Sequence, residues 1–149
     1  MSCRMKTTNI LLLFILAVAL YTTFILFKQH FYFYNGSYDV RIINGFSNNS
    51  SLPLVVWCVS GERGDIGGRA LQERDDYGWM VTTTGLFWSS SRFVCTMKWD
   101  GKRKRFEAFQ ASRDRYRCGV LRQCFWLVKE DGFYFSNDGV QWIKDFPWM

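Results

Sequence analysis

The feature that most limits this chain is a stretch from Ile10 to Phe27 that is apolar except for Tyr21, Thr22 and Thr23, with Arg4 and Lys6 ahead of it. A positive flank and then an apolar run make the pattern of a secretory signal, which commits the remainder of the chain to an oxidising compartment. Ala17 and Ala19 offer an A-x-A cleavage site. The run is also close to membrane-spanning length, so a retained signal anchor is the alternative, although Lys28, Gln29 and His30 make a weak stop-transfer flank. The expected organisation is a signal peptide or anchor with a short N-terminal segment over residues 1–30, then a single domain over 31–149.

Export changes the reading of the cysteines. Cys3 lies in the leader, which leaves Cys58, Cys95, Cys118 and Cys124, an even set in a small domain with limited capacity to bury a core. Two disulfides are expected, each contributing roughly 2–4 kcal/mol. Four cysteines allow three connectivities. If Arg92 to Trp99 forms a hairpin with the strand after it, Cys118 comes within reach of Cys95, which favours Cys95 with Cys118 and Cys58 with Cys124; the other pairings stay open. Four thiolates on zinc are disfavoured, because the spacings lack paired C-x-x-C knuckles.

Aromatic residues make up 19% of the chain, and they favour strands. Short aromatic or β-branched runs recur between Gly, Asn, Asp and Ser clusters at the spacing of a two-sheet β-sandwich. About eight strands are predicted: Val40 to Ile43, Leu54 to Val59, Gly78 to Thr82, Arg92 to Trp99, Phe106 to Phe109, Cys124 to Lys129, Phe133 to Ser136, and Gln141 to Ile143. Period-two alternation puts Phe93, Cys95, Met97 and Trp99 on one face. Leu54, Val56 and Cys58 share another, as do Cys124, Trp126 and Val128, and these faces should meet in the core. Trp57, Trp79, Trp99 and Trp126 are read as core residues rather than a base-stacking platform. Gly61, Gly64, Gly67 and Gly68 read as a flexible turn leading to Leu71, braced by Asp65.

These residues carry a resemblance. V-R-I-I-N (Val40 to Asn44), L-V-V-W-C-V-S (Leu54 to Ser60), G-D-I-G-G (Gly64 to Gly68) and Y-G-W (Tyr77 to Trp79) come first. F-V-C-T-M-K-W (Phe93 to Trp99), Cys118 and C-F-W-L-V-K-E-D-G-F-Y-F (Cys124 to Phe135) come after them in the same order. Together they make the chain similar to the plant self-incompatibility S-protein homologues. The resemblance implies an all-β sandwich with two disulfides, exported to the plant extracellular space, that acts as a signalling ligand for a cell-surface receptor. Trp57 stands where many members carry His, and Val81 where an aromatic is common; both departures read as changes of interior packing.

Little in the sequence supports catalysis. The sole histidine, His30, flanks the leader, so no Ser/His/Asp or Cys/His arrangement is available within the domain. Asp75–Asp76 and Glu130–Asp131 are sequence neighbours in expected turns, not carboxylates across a cleft. The glycine cluster lacks a P-loop Lys-Ser/Thr. No catalytic residue, metal ligand, cofactor or nucleic-acid partner is therefore assigned. The net charge of +6 stays positive when Arg4 and Lys6 are set aside. Its most concentrated part, Lys102, Arg103, Lys104 and Arg105, is expected at a hairpin tip as a partner contact, with Arg113, Arg115, Arg117 and Arg122 as a second set. Asn35, Asn48 and Asn49 head N-x-S sequons and are candidate glycosylation sites. The alternative to a receptor ligand is a module that binds cell-wall carbohydrate or a membrane surface.

Overall fold

The computed structural model describes residues 7–34, 36–47, 52–61, 64–83 and 91–149. The chain divides into two units, Met1–Tyr34 and Asn35–Met149, each described by itself.

The first unit contains one helix, α1 (Thr7–Tyr34). Within it Asn9–His30, 22 residues, is long and apolar enough to cross a membrane, a test that a signal sequence also passes. Thr22 and Thr23 interrupt the apolar run without leaving open hydroxyls. Thr22 Oγ1 donates to the Ala19 carbonyl at 2.9 Å, and Thr23 Oγ1 to those of Ala19 and Leu20 at 3.0 and 2.8 Å.

The second unit is a two-sheet sandwich. Its strands are β1 (Gly36–Asn44), β2 (Leu54–Ser60), β3 (Gly64–Leu71), β4 (Asp76–Thr83), β5 (Arg92–Trp99) and β6 (Lys102–Gln110). A short helix α2 (Ala111–Arg117) leads to β7 (Gln123–Lys129), β8 (Gly132–Ser136) and β9 (Ile143–Phe146). One sheet has the order β4-β1-β7-β8-β9 and the other β3-β2-β5-β6. Among the described residues only β1 and β7 run parallel, and the other strand pairings are antiparallel.

The alternation expected of the strands places the core. Phe93, Cys95, Met97 and Trp99 of β5 are buried, as are Leu54, Val56 and Cys58 of β2 and Cys124, Trp126 and Val128 of β7. Tyr38, Val40 and Ile42 of β1 complete the facing layer. Several polar groups taken inside are bonded, whereas the buried Trp79 and Trp99 indole N–H groups have no hydrogen-bond partner among the described residues. Trp126 Nε1 donates to the Ala108 carbonyl at 2.8 Å, and buried Asn44 donates to the Leu71 carbonyl while accepting the Phe46 amide, both at 3.0 Å.

The disulfides differ from the favoured pairing. They are Cys58–Cys95 and Cys118–Cys124. Cys58 and Cys95 sit opposite each other in the β2–β5 register, with Cα atoms 4.1 Å apart, so Cys95 meets its partner within its own sheet. Cys124 lies in the other sheet. The chain returning from β6 passes through α2 before Cys118, which brings Cys118 to the start of β7 and not to Cys95.

Two further differences concern strands. The glycine-rich stretch is a paired strand, β3, with a bulge opposite Cys58/Val59, and not a flexible turn; Asp65 does brace it, accepting the Gly67 amide at 2.7 Å. The last strand begins at Ile143 rather than Gln141. Asp138 accepts the amides of Val140 and Gln141, both at 2.8 Å, which withdraws them from strand pairing.

Candidate functional site

The basic cluster does not form a hairpin tip. The β5–β6 turn is only Asp100–Gly101, both at positive φ (45° and 74°), and Trp99 already pairs with Lys102. Lys102 to Arg105 therefore lie along β6, an edge strand, and alternate between its faces. Lys102 and Lys104 share the inward face with Phe106. Lys102 Nζ donates to the Glu130 carbonyl at 3.3 Å and lies 5.2 Å from the Trp99 ring; Lys104 Nζ lies 5.3 Å from the Phe146 ring. Arg103 and Arg105 point to the outer face of the four-stranded sheet.

Register identifies their neighbours there, because residues opposite each other on antiparallel strands share a face. One row across the sheet reads Ala70, Val55, Lys98, Arg103; the next reads Gly68, Trp57, Thr96, Arg105. Trp57 is 49% exposed and Val55 42%. Trp57 is thus not core, and its departure from the family pattern falls on the solvent face. The other three tryptophans read as core, Trp79, Trp99 and Trp126, do pack with it. Lys98, Arg103 and Arg105 form no ion pair or hydrogen bond among the described residues.

The second basic set is engaged within the fold. Arg113 hydrogen-bonds buried Asp114 through Nε and Nη2, both at 2.8 Å, and these bonds push its guanidinium pKa further up. Asp114 also accepts the Gln110 amide at 2.7 Å. Arg117 pairs with Asp145 at 2.9 Å and stacks 3.8 Å from the Phe135 ring centre, while Arg115 lies over Tyr116 and Arg122 over Tyr38. These side chains hold α2 and the turn after it.

That turn displays what residue-type reasoning passed over. Between Cys118 and Cys124, Val120 and Leu121 are 93% and 68% exposed. They occupy the centre of a turn closed by the Arg122 amide on the Gly119 carbonyl at 3.2 Å, and the disulfide clamps its base. An apolar pair enclosed by a short C-x5-C spacing was the available signal.

The acidic neighbours serve structure. Asp75 accepts the Gln72 amide, Asp76 faces Arg41, Glu130 accepts the Ser47 amide, and Asp131 bonds Lys144 and Tyr134. Among the described residues no group of three or more His, Cys, Asp or Glu is arranged to hold a metal. Asn35, Asn48 and Asn49 lie outside the described residues.

The family profile described as plant self-incompatibility protein S1 matches residues 39–148. S-protein homolog 5 of Arabidopsis thaliana is 30% identical over 80 residues, 54% of this chain and 58% of the relative. S-protein homolog 20 of the same plant is 31% identical over 94 residues, covering 63% and 65% of the two chains. S-protein homolog 24 is 30% identical over 105 residues, covering 68% and 65%. The chain thus spans just under two thirds of these relatives at most. No solved structure matches it. Residues 39–148 contain every strand of the sandwich except the start of β1, both disulfides and the clamped turn, and on that match the chain belongs to the plant self-incompatibility protein S1 family.

Proposed function

We propose that this is an exported, non-catalytic ligand: residues 1–30 direct secretion, and the 31–149 sandwich acts in the extracellular space by binding a cell-surface receptor. Family membership supports the extracellular, self-incompatibility-like role. The observation that carries the receptor reading is the clamped turn. Two aliphatic side chains held mostly in solvent by a disulfide lie outside the core, yet they arrive at a partner already ordered, which lowers the entropy lost on binding. Of the four cations expected to contact a partner, Lys102 and Lys104 are held by the fold, which leaves Arg103 and Arg105 facing solvent away from the clamped turn. One N-glycan at the Asn48–Asn49 pair, and one at Asn35, belong to the same proposal.

The test uses protein recovered from the medium of plant cells expressing the full chain. Labelled protein should bind protoplasts saturably, and pretreating the cells with protease should abolish binding. The V120S/L121S variant should bind about tenfold more weakly while keeping its circular dichroism. Absence of saturable binding overturns the ligand reading, and unchanged binding by the variant overturns the turn as its contact.

A further inference from the structure

From the outer face of the four-stranded sheet we infer a second binding surface, for an acidic polysaccharide built of uronic acid units. It does not depend on the receptor reading.

Trp57 is fixed as a flat platform. A Cβ on Gly68, its cross-strand neighbour, would lie 2.4 Å from Trp57 Cε3 and 2.6 Å from the Val56 carbonyl oxygen. The indole therefore rests on the glycine backbone with its other face open, and only glycine leaves room for that arrangement. Next along the row are Thr96 and Arg105, the Arg105 backbone about 10 Å from that of Trp57 at ordinary strand spacing. In the adjoining row Lys98 stands directly opposite Arg103. That row borders an open groove lined by Leu52, Pro53, Val55, Lys98 and Arg103. Asp100 also lines it but forms no ion pair with these cations.

Structure alone does not account for this face. Cations on an edge strand deter edge-to-edge pairing, which explains residues on β6. It does not explain Lys98 on the interior strand β5, nor an exposed indole on β2. Like charges directly opposite across a sheet are destabilising, so Lys98 and Arg103 lower stability until an anion lies between them.

The occupant is set by the chemistry. An aromatic face carries negative quadrupole density and attracts the weakly positive C–H face of a sugar ring. Guanidinium and ammonium groups bind carboxylates, the guanidinium in a bidentate fork. A uronic acid unit carries both partners in one ring, and its polymer repeats them along the rows of the sheet. Single-stranded nucleic acid, by contrast, is tracked by a succession of stacking aromatics, and among the described residues this face has one.

The experiment measures binding of the medium-recovered protein to immobilised polygalacturonate, fully methyl-esterified polygalacturonate, neutral dextran and single-stranded DNA. Polygalacturonate is expected to bind at least about tenfold more tightly than the other three. Trp57→Ala and the double variant R103Q/R105Q should each weaken that binding about tenfold or more, with circular dichroism unchanged and the thermal midpoint of R103Q/R105Q no lower than the parent's, since the charge opposed to Lys98 is removed. The proposal is overturned if polygalacturonate is held no better than its methyl ester or dextran, if DNA binds equally well, or if Trp57→Ala binds as the parent does.

Discussion

The two outer faces of the sandwich differ in how many of their cations they pair. On the five-stranded sheet Arg41 reaches Asp39 at 3.2 Å and Asp76 at 3.5 Å and lies over Phe125; Lys144 bonds Asp131 at 2.7 Å, and Lys129 lies 5.1 Å from the Tyr134 ring. On the four-stranded sheet Arg92 pairs with Glu107 at 3.1 Å at one end, but Lys98, Arg103 and Arg105 have no such partners among the described residues, and Trp57 and Val55 stand exposed beside them. Both faces belong to one small domain and meet the same solvent. The contrast therefore isolates a local requirement: one face is closed by its own ion pairs, while the other keeps Lys98, Arg103, Arg105 and its aromatic ring available.

The largest break in that contrast comes from removing the disulfide beneath the open face. By loop-closure entropy, Cys58→Ala/Cys95→Ala, a separation of 37 residues, should lower the unfolding free energy by about 4 kcal/mol, and Cys118→Ala/Cys124→Ala, a separation of 6, by about 2 kcal/mol. Urea denaturation of the two double variants measures both, and the reverse order would show that the clamped turn, not the sheet, carries the main constraint. Lys98→Glu should sharpen the contrast. It replaces a like-charge pair by an attractive one opposite Arg103, so stability should rise by about 0.2–1 kcal/mol while polygalacturonate retention falls. A loss of stability would mean that the face carries no repulsion.

Opening the closed face has a smaller effect. D39N/D76N frees Arg41, whose side chain is 44% exposed, and should cost no more than about 1 kcal/mol because exposed pairs contribute little. It should not raise polygalacturonate retention above the parent's, since no bare indole lies beside Arg41; retention added there would reduce the open face to a matter of charge alone. The smallest effect is on titration. Hydrogen bonds from Lys144, then from Tyr134, hold the Asp131 carboxyl below the ordinary aspartate value of 3.8. A carboxyl lowered in the folded state contributes stability above its unfolded pKa and loses it as pH falls through the folded value. Its NMR titration should therefore lie below 3.8 and move upward in Lys144→Gln.

Much of the scaffold is readable in the sequence because burial obeys a period of two. Phe93 to Trp99 alternates so cleanly that β5 is delimited to the residue, and the inward faces of β2 and β7 match those that alternation selects. The same rule, carried one residue further, puts Trp57 opposite Cys58 on the solvent side; the general preference of tryptophan for the core points the other way. Strand β3 is hidden because glycine weakens strands, and the reason for Gly68 is visible only once Trp57 is seen lying on it. The basic cluster suggests a loop by its charge, although Asp100–Gly101 alone suffices for the turn. Disulfide pairing depends on which strand borders β5 on its far side, and topology of that kind is not written in spacing.

The measurement that bears most directly on an exported, disulfide-fastened sandwich is non-reducing peptide mapping, after deglycosylation, of the protein recovered from the medium. The expected result is a chain lacking the apolar leader, with one linked peptide pair joining Cys58 to Cys95 and a Cys118–Cys124 loop opened only by reductant. A full-length chain retained in the cytosol with all four thiols open to alkylation would contradict it.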